Sequence, residues 1–265
     1  MKIAYYIKKA RLKGDSRIDA LIGSLKDGGA EVYEVTCLED LRDGSDMLIT
    51  FGGDGTFLSA AAAAYASDVP VLGVNLGRMG FLAGACMDDL APRLLARDWN
   101  VEEREVLLAD GNFALNEVTL ARTGTDTIGV DVQIDGKALP TYWADGLIVA
   151  STSGSTAYNL SVGGPICMPG SRVMVISPIA PHNLGVRPLV IPDTSVVKLS
   201  VRARRGGAVF SCDNRSVTVP DGFGVTVRVG AKPLRCVKVD NTSFIDSLRS
   251  RFFWGQDVRN TMEQQ

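Results

Sequence analysis

A single histidine, His182, stands among 265 residues, which excludes metal centres built from several imidazoles and leaves acid–base work to carboxylates. Cysteine is sparse and scattered. The five at 37, 86, 167, 212 and 236 form no C-x-x-C pair, a pattern of isolated thiols and not of a disulfide framework or zinc site. No apolar run reaches bilayer-spanning length, and the opening segment, with Lys2, Lys8 and Lys9, has no uninterrupted apolar stretch of the signal-peptide kind. A cytoplasmic protein with no membrane partner is therefore expected. Excess charge is also missing: the formal net charge is −2, and the one dense basic cluster, Arg202, Arg204 and Arg205, precedes Gly206-Gly207 and reads as a solvated hairpin end. No nucleic-acid partner is expected. Two nucleotide signatures are absent as well. There is no G-x-x-x-x-G-K-[ST], and the stretch 73–80 carries Asn75 where G-x-G-x-x-G needs its first glycine.

What is present is ordinary globular composition, 46% hydrophobic and 22% charged, at a length that allows one large domain or two smaller ones. The first hundred residues alternate strand and helix signals. Strands are predicted at 3–7, 31–36, 46–51 and 69–74. Helices are predicted at 15–26, with Ile18, Leu21, Ile22 and Leu25 at helical spacing and Gly28 after the end, at 57–66 and at 88–96. This rhythm implies a parallel sheet covered by helices, with ligands at the carboxyl ends of its strands. From about Val101 the pattern changes to short β runs, at 117–121, 130–134, 146–150, 173–176, 196–201, 208–211 and 225–229, punctuated by turns such as Asp135-Gly136 and Asp221-Gly222. Residues 234–239 and the amphipathic stretch 244–253 are expected to return to the first domain.

Residues 49–58, Ile-Thr-Phe-Gly-Gly-Asp-Gly-Thr-Phe-Leu, set an acidic residue in a glycine-rich turn between a strand and a helix. Gly52, Gly53 and Gly55 permit positive φ and bring backbone N–H groups close to an anion, while the helix directs its positive end the same way. Gly52, Gly53, Gly55 and Thr56 are the expected phosphate contacts. A carboxylate facing phosphates repels them unless a cation or a substrate hydroxyl lies between, so Asp54 either holds Mg²⁺ or draws a proton from an attacking hydroxyl; as a bare turn, it caps the helix. A second cluster of glycine and hydroxyls, 145–158, follows another strand and reads either as a polar ligand cradle or as a serine-rich turn.

Taken together, GGDGT at 52–56, Asn116-Glu117, and Gly154-Ser155-Thr156-Ala157-Tyr158 preceded by Asp145-Gly146 resemble the NAD kinase family. Further matches are Gly73-Val74-Asn75 through Gly80-Phe81-Leu82, Gly163-Gly164-Pro165, the 178–182 segment ending in His182, Arg187-Pro188, Leu248-Arg249 and Trp254-Gly255. The resemblance covers nearly the whole chain.

It implies an α/β Rossmann-like amino-terminal domain (1–100, with 236–265 packing back) and a β-rich, β-sandwich-like domain (101–235) that binds NAD. The implied reaction moves the terminal phosphoryl group of ATP, or of polyphosphate, to the 2′-hydroxyl of the adenosine ribose of NAD, with Mg²⁺ or another divalent cation. Asp54 resembles the family's catalytic aspartate, activating that hydroxyl. Gly55, Phe81 (against adenine), Asn116 and Glu117 (on the ribose), Asp145 (at the carboxamide end), Ser153, Thr156, Ala157 and Tyr158 resemble its NAD-binding residues, and no metal ligand is assigned. A homodimer or homotetramer sharing its substrate pocket is implied. The chain departs from the family at Ser151-Thr152-Ser153-Gly154, where proline is usual at the second position, and at Asp213-Asn214-Arg215, where Asp-Gly-Gln is common. The loss of proline predicts a looser loop. The rival readings are a lipid kinase of the diacylglycerol or sphingosine kinase type and a non-catalytic dinucleotide sensor.

Overall fold

A computed structural model describes residues 1–76, 80–240 and 242–252. The motif residues Gly77, Arg78, Met79, Trp254 and Gly255, and the end of the expected helix at Phe253, lie outside the described residues. In the first sheet β1 (Lys2–Ile7), β2 (Glu31–Glu34), β3 (Met47–Phe51) and β4 (Val71–Val74) run parallel. Every residue of β3 and β4 is buried, as expected for parallel strands covered on both faces.

The two faces of β3 divide its neighbours. Met47, Ile49 and Phe51 join a core with Ile18, Leu21 and Leu25 of helix α1 (Ser16–Asp27) and Leu90 and Leu94 of α3 (Leu90–Leu95). Leu48 faces the other way, toward Phe57, Ala60, Ala61 and Ala64 of α2 (Asp54–Ala66). These four recur at helical spacing, and three are alanines, so α2 lies close on the sheet. The helix begins three residues before the expected start at 57 because Asp54, Gly55 and Thr56 form its first turn behind an N-cap at Gly53.

After β5 (Asn100–Arg104) the chain builds two antiparallel sheets. One joins β6 (Leu107–Ala109), β7 (Asn112–Ala114), β9 (Ile128–Ile134), β10 (Lys137–Ala138), β11 (Tyr142–Ala144), β15 (Val197–Ala203) and β18 (Gly224–Val229). The other joins β8 (Glu117–Arg122), β12 (Gly146–Ala150), β13 (Val173–Ile179), β14 (Leu189–Pro192), β16 (Ala208–Cys212) and β17 (Arg215–Val219). Their inner faces share one core, with Val130, Leu199 and Val227 against Leu120, Leu147 and Ile176, a β-sandwich. The short helix α4 (Tyr158–Ser161) follows β12.

Strand β19 (Leu234–Lys238) then enters the first sheet between β4 and β5, parallel to β4 and antiparallel to β5, and α5 (Phe244–Phe252) follows. The core around α2 also takes in Val106, Phe113 and Leu115, and the rings of Tyr65 and Phe113 meet at 5.1 Å. Helix α2 is thus wedged between the first sheet and the sandwich. Its N-terminus opens where the two meet.

Candidate active site

The turn between β3 and α2 uses its glycines for two different purposes. Gly52 alone takes positive φ, at 150°, and a Cβ there would lie 2.4 Å from Thr56 Oγ1. Thr56 is buried beneath it. Gly53 has φ −95°, Gly55 is helical, and a side chain at either would meet nothing within 4 Å. The expectation of positive φ at all three is therefore corrected. Gly53 and Gly55 matter for the bare backbone they present, which leaves N–H groups open to an approaching anion.

Asp54 occupies the first position of α2, where a carboxylate complements the helix end. Its Oδ2 accepts from Phe81 N–H at 2.9 Å, and Oδ1 accepts from Leu82 N–H at 3.0 Å and Ala83 N–H at 2.9 Å. Of the roughly four acceptor directions a carboxylate offers, three are used. Gly80 makes this possible, since a Cβ there would fall 1.9 Å from Asp54 Oδ1. The Phe81 ring packs 6.2 Å from that of Phe244 on α5.

A cavity of about 340 Å³ adjoins the turn, lined by Gly52, Gly53, Asn75 and Leu76 and by Lys9, Arg11 and Arg17. Arg17 is paired with Asp15 at 2.7 Å. No motif in the sequence pointed to these cations. Their signal was the parallel pairing itself: Ile7 at the end of β1 is in register with Phe51 at the end of β3, so the basic segment after β1 emerges beside the glycine turn.

Asn116 and Glu117 stand at the start of β8, held by a residue given no role in advance. Asp213 takes positive φ (51°) in the turn between β16 and β17, and its carboxylate accepts from the N–H groups of Leu115, Asn116 and Glu117 at 2.7, 2.8 and 3.1 Å. Burial pushes the Asp213 carboxyl up, against these bonds and Arg215, which favour its charged form. Asn214 Nδ2 donates to Ser59 Oγ at 3.0 Å and to Gly55 O at 3.5 Å. Arg215, whose purpose the sequence did not reveal, donates to Phe113 O and lies over the Phe113 ring. The 213–215 turn thus joins the first turn of α2 to Asn116 and Glu117. Both of these side chains keep a buried oxygen without a partner among the described residues, Asn116 Oδ1 and Glu117 Oε2. Burial and the adjacent Asp213 push the Glu117 carboxyl up to about 7, with the Tyr158 N–H opposing.

The loop after β12 lies directly on this pair. Ser151 N–H donates to Asn116 O at 2.8 Å, and Ser151 Oγ donates to Leu115 O at 2.5 Å and accepts from Gly154 N–H at 3.2 Å. Ser153 is buried, Thr156 Oγ1 donates back to Ser153 O at 3.3 Å, Ala157 links the 3₁₀ turn to α4, and Tyr158 stands 42% exposed at the mouth. Thr152 has φ −60°, which is proline's own value. The turn thus keeps the backbone conformation that proline would impose.

Asp54, Gly55, Asn116, Glu117, Ser153, Thr156, Ala157 and Tyr158 are therefore linked through adjoining segments, with Gly52, Gly53 and Phe81 bordering them. Asp145 is not among them. It precedes β12, whose other end pairs Ala150 with Glu117, so five residues, about 17 Å of strand, separate it from the cluster. Arg122 holds it there, Nε to Oδ1 at 2.8 Å and Nη2 to Oδ2 at 3.1 Å.

Comparison with known proteins follows this division. Residues 14–97 match the ATP-NAD kinase N-terminal domain and residues 115–239 the ATP-NAD kinase C-terminal domain. An NAD kinase of Flavobacterium psychrophilum is 38% identical over 84% of this chain and 80% of its own. Among solved structures, a yeast NADH kinase complexed with NADH shares the fold with a TM-score of 0.86 at 21% identity, over 98% of this chain and 89% of its own. An NAD kinase from Archaeoglobus fulgidus in complex with ATP aligns with a TM-score of 0.75 at 25% identity, over 96% and 98%. The cradle of glycine turn, Asn-Glu pair and hydroxyl loop is carried on the fold shared with those proteins, and the chain belongs to the NAD kinase family.

Proposed function

We propose that this chain is an NAD kinase that transfers the terminal phosphoryl group of ATP to the 2′-hydroxyl of the adenosine ribose of NAD, giving NADP. The observation that carries this reading is the bridge from Gly55 through Asn214 and Asp213 to Asn116 and Glu117. It links the turn that carries Asp54 at the head of α2 to two buried oxygens, Asn116 Oδ1 and Glu117 Oε2, which suit hydroxyl or amide donors of a substrate. A ribose diol supplies such donors. In this reading Glu117 and Asn116 hold the ribose, Ser153, Thr156, Ala157 and Tyr158 line the dinucleotide, and Phe81 borders the adenine. Asp54 uses its remaining acceptor direction to take a hydrogen bond from the 2′-hydroxyl. Phosphoryl transfer asks chiefly for alignment and charge stabilisation, and both are provided by backbone and loops here.

The donor's phosphates fit the cavity between the glycine turn and Lys9 and Arg11. Among the described residues no three acidic, histidine or cysteine side chains cluster as a metal site, and Asp54 has one acceptor direction left. The described residues thus offer no resident magnesium cage, and a divalent cation fits as part of the donor, brought by its phosphates. Lys9→Gln and Arg11→Gln are each expected to raise the KM for ATP about tenfold, the value of one charge-assisted hydrogen bond, with the KM for NAD unchanged in steady-state assays.

The separation of Asp145 from the cluster supports a pocket completed by a second copy of the chain. Near Asp145, Trp143 is 40% exposed, and Leu184, in the loop whose His182 N–H donates to Trp143 O, is 84% exposed, an apolar surface suited to a homodimer or homotetramer in the cytoplasm.

Glu117 gives the binding step a pH dependence. At pH 6 its carboxyl is mostly protonated and at pH 8 mostly ionised, and the ionised form accepts from both ribose hydroxyls. The KM for NAD should fall as pH rises through 7, and Glu117→Gln should flatten that profile. Stability runs the opposite way. The folded-state value lies above the usual 4.5, so the contribution is full below 4.5 and is lost as pH rises through 7. Denaturant titrations of wild type against Glu117→Gln should show this difference, on the order of 3 kcal/mol.

The assignment is tested by NADP formation from NAD, ATP and Mg²⁺, read with an NADP-specific dehydrogenase, and with polyphosphate as alternative donor. Absence of product while calorimetry still records NAD binding would turn the assignment into a dinucleotide sensor. Phosphorylation of a long-chain alcohol instead would make it a lipid kinase.

A further inference from the structure

Arg104, the last residue of β5, reaches out of the first sheet into the hydroxyl loop. Its side chain is only 10% exposed. One arm of the guanidinium, Nη2, pairs with Glu102 Oε1 at 2.8 Å, and the other, Nη1, donates to Ser153 Oγ at 3.3 Å. Glu102 is fixed in turn by Lys238 of β19, at 3.4 Å from Oε2. β5 and β19 are paired in register, Glu102 opposite Cys236 and Arg104 opposite Leu234.

The direction of this contact has a chemical consequence. A guanidinium has donors and no acceptor, so Ser153 Oγ must accept from Arg104 and its own proton must point elsewhere. Among the described residues no acceptor takes that proton. Ser153 is buried and precedes Gly154, which lies against the backbone of Asn116.

We propose that Arg104 is a positioning residue for the dinucleotide: it fixes the Ser153 hydroxyl as a donor toward a lone-pair atom of NAD and braces the hydroxyl loop against the first sheet, whose β3 leads into the turn before Asp54. This deepens the kinase reading and rests on it for the identity of the ligand. Lysine at 104 keeps a charge beside Glu102 but lacks the fork that reaches both partners.

The test compares wild type, Arg104→Lys, Ser153→Ala and the double variant by steady-state kinetics and by NAD calorimetry. Each single variant should raise the KM and the Kd for NAD about tenfold while the KM for ATP stays within twofold. The double variant should be no worse than the weaker single one, because both remove the same hydrogen bond. Unchanged NAD affinity in Ser153→Ala would overturn the proposal even if Arg104→Lys fails to fold. So would additive losses with the KM for ATP rising in parallel. Wild-type NAD binding without turnover would remove the kinase reading alone, since the calorimetric comparison still decides the role of Arg104.

Discussion

Asp54→Asn is expected to lower the rate of NADP formation by about a hundredfold or more, the range lost with a group that assists proton transfer. The substitution exchanges one carboxylate oxygen for an NH₂ group in a place where three backbone N–H groups point at the side chain. The amide oxygen can stay on Leu82 and Ala83, which share Oδ1, so the bond from Phe81 is the one lost. That costs about 1–2 kcal/mol of stability. A hundredfold loss of rate corresponds to about 2.7 kcal/mol in the barrier. The two effects separate experimentally: calorimetry should find NAD affinity within a few fold of wild type, and thermal unfolding a modest shift. A variant that keeps more than a tenth of the wild-type rate would leave Asp54 as an organiser of the 80–83 segment without a part in the chemistry.

Gly154→Ala is expected to damage NAD binding most among changes that remove no functional group. A Cβ at 154 would lie 2.0 Å from the carbonyl oxygen of Asn116, 2.5 Å from its carbon and 2.9 Å from its Cα. All three are backbone atoms, so no side-chain rotation relieves the overlap. The loop has to lift, and the bonds from Ser151 to Leu115 and Asn116 stretch with it. Ser153 through Tyr158 then leave Asn116 and Glu117. Overpacking of this kind costs about 1–3 kcal/mol. The Kd for NAD should rise by about one to two orders of magnitude, at about 1.4 kcal/mol per tenfold. Gly55→Ala supplies the contrast in a thermal melt, since it faces open space inside a helix and should leave the unfolding temperature equal or higher. Equal melting of Gly154→Ala and wild type, with NAD affinity intact, would contradict the docking described here.

The centre of the first sheet was legible because β3 and β4 are continuous apolar runs set among helical stretches. β3 shows this best, buried along its length and followed by the glycine turn. Several of the strands that escaped notice lie at sheet edges, whereas the interior β6 is only three residues long. β5, Asn-Val-Glu-Glu-Arg, lies at the edge of its sheet, and β17, with four of five residues exposed, closes an edge of the sandwich. An edge strand needs only one partner and one buried face, so its composition tells little. The Asn116-Glu117 pair was found by motif. The Asp213 carboxylate that fixes it was not, because it is nearly a hundred residues away in the chain and serves three backbone N–H groups through an ordinary-looking turn. Lys9, Arg11 and Arg104 escaped for a related reason. Their places are set by which strands lie side by side, β1 with β3 and β5 with β19, and one-dimensional spacing does not encode adjacency.

The late entry of β19 bears on how the molecule is made. During synthesis β4 and β5 emerge early, yet the strand that separates and pairs with both begins only at Leu234. Until it arrives, β4 has an open edge and β5 has no ladder at all. The amino-terminal sheet therefore cannot be completed before residue 234 is made, and the sandwich has to form while that edge waits. Contacts of such long sequence separation slow folding and prolong exposure of pairing edges. The same strand carries Lys238, which holds Glu102 and through it Arg104. The substrate loop is thus braced only once translation has passed Lys238.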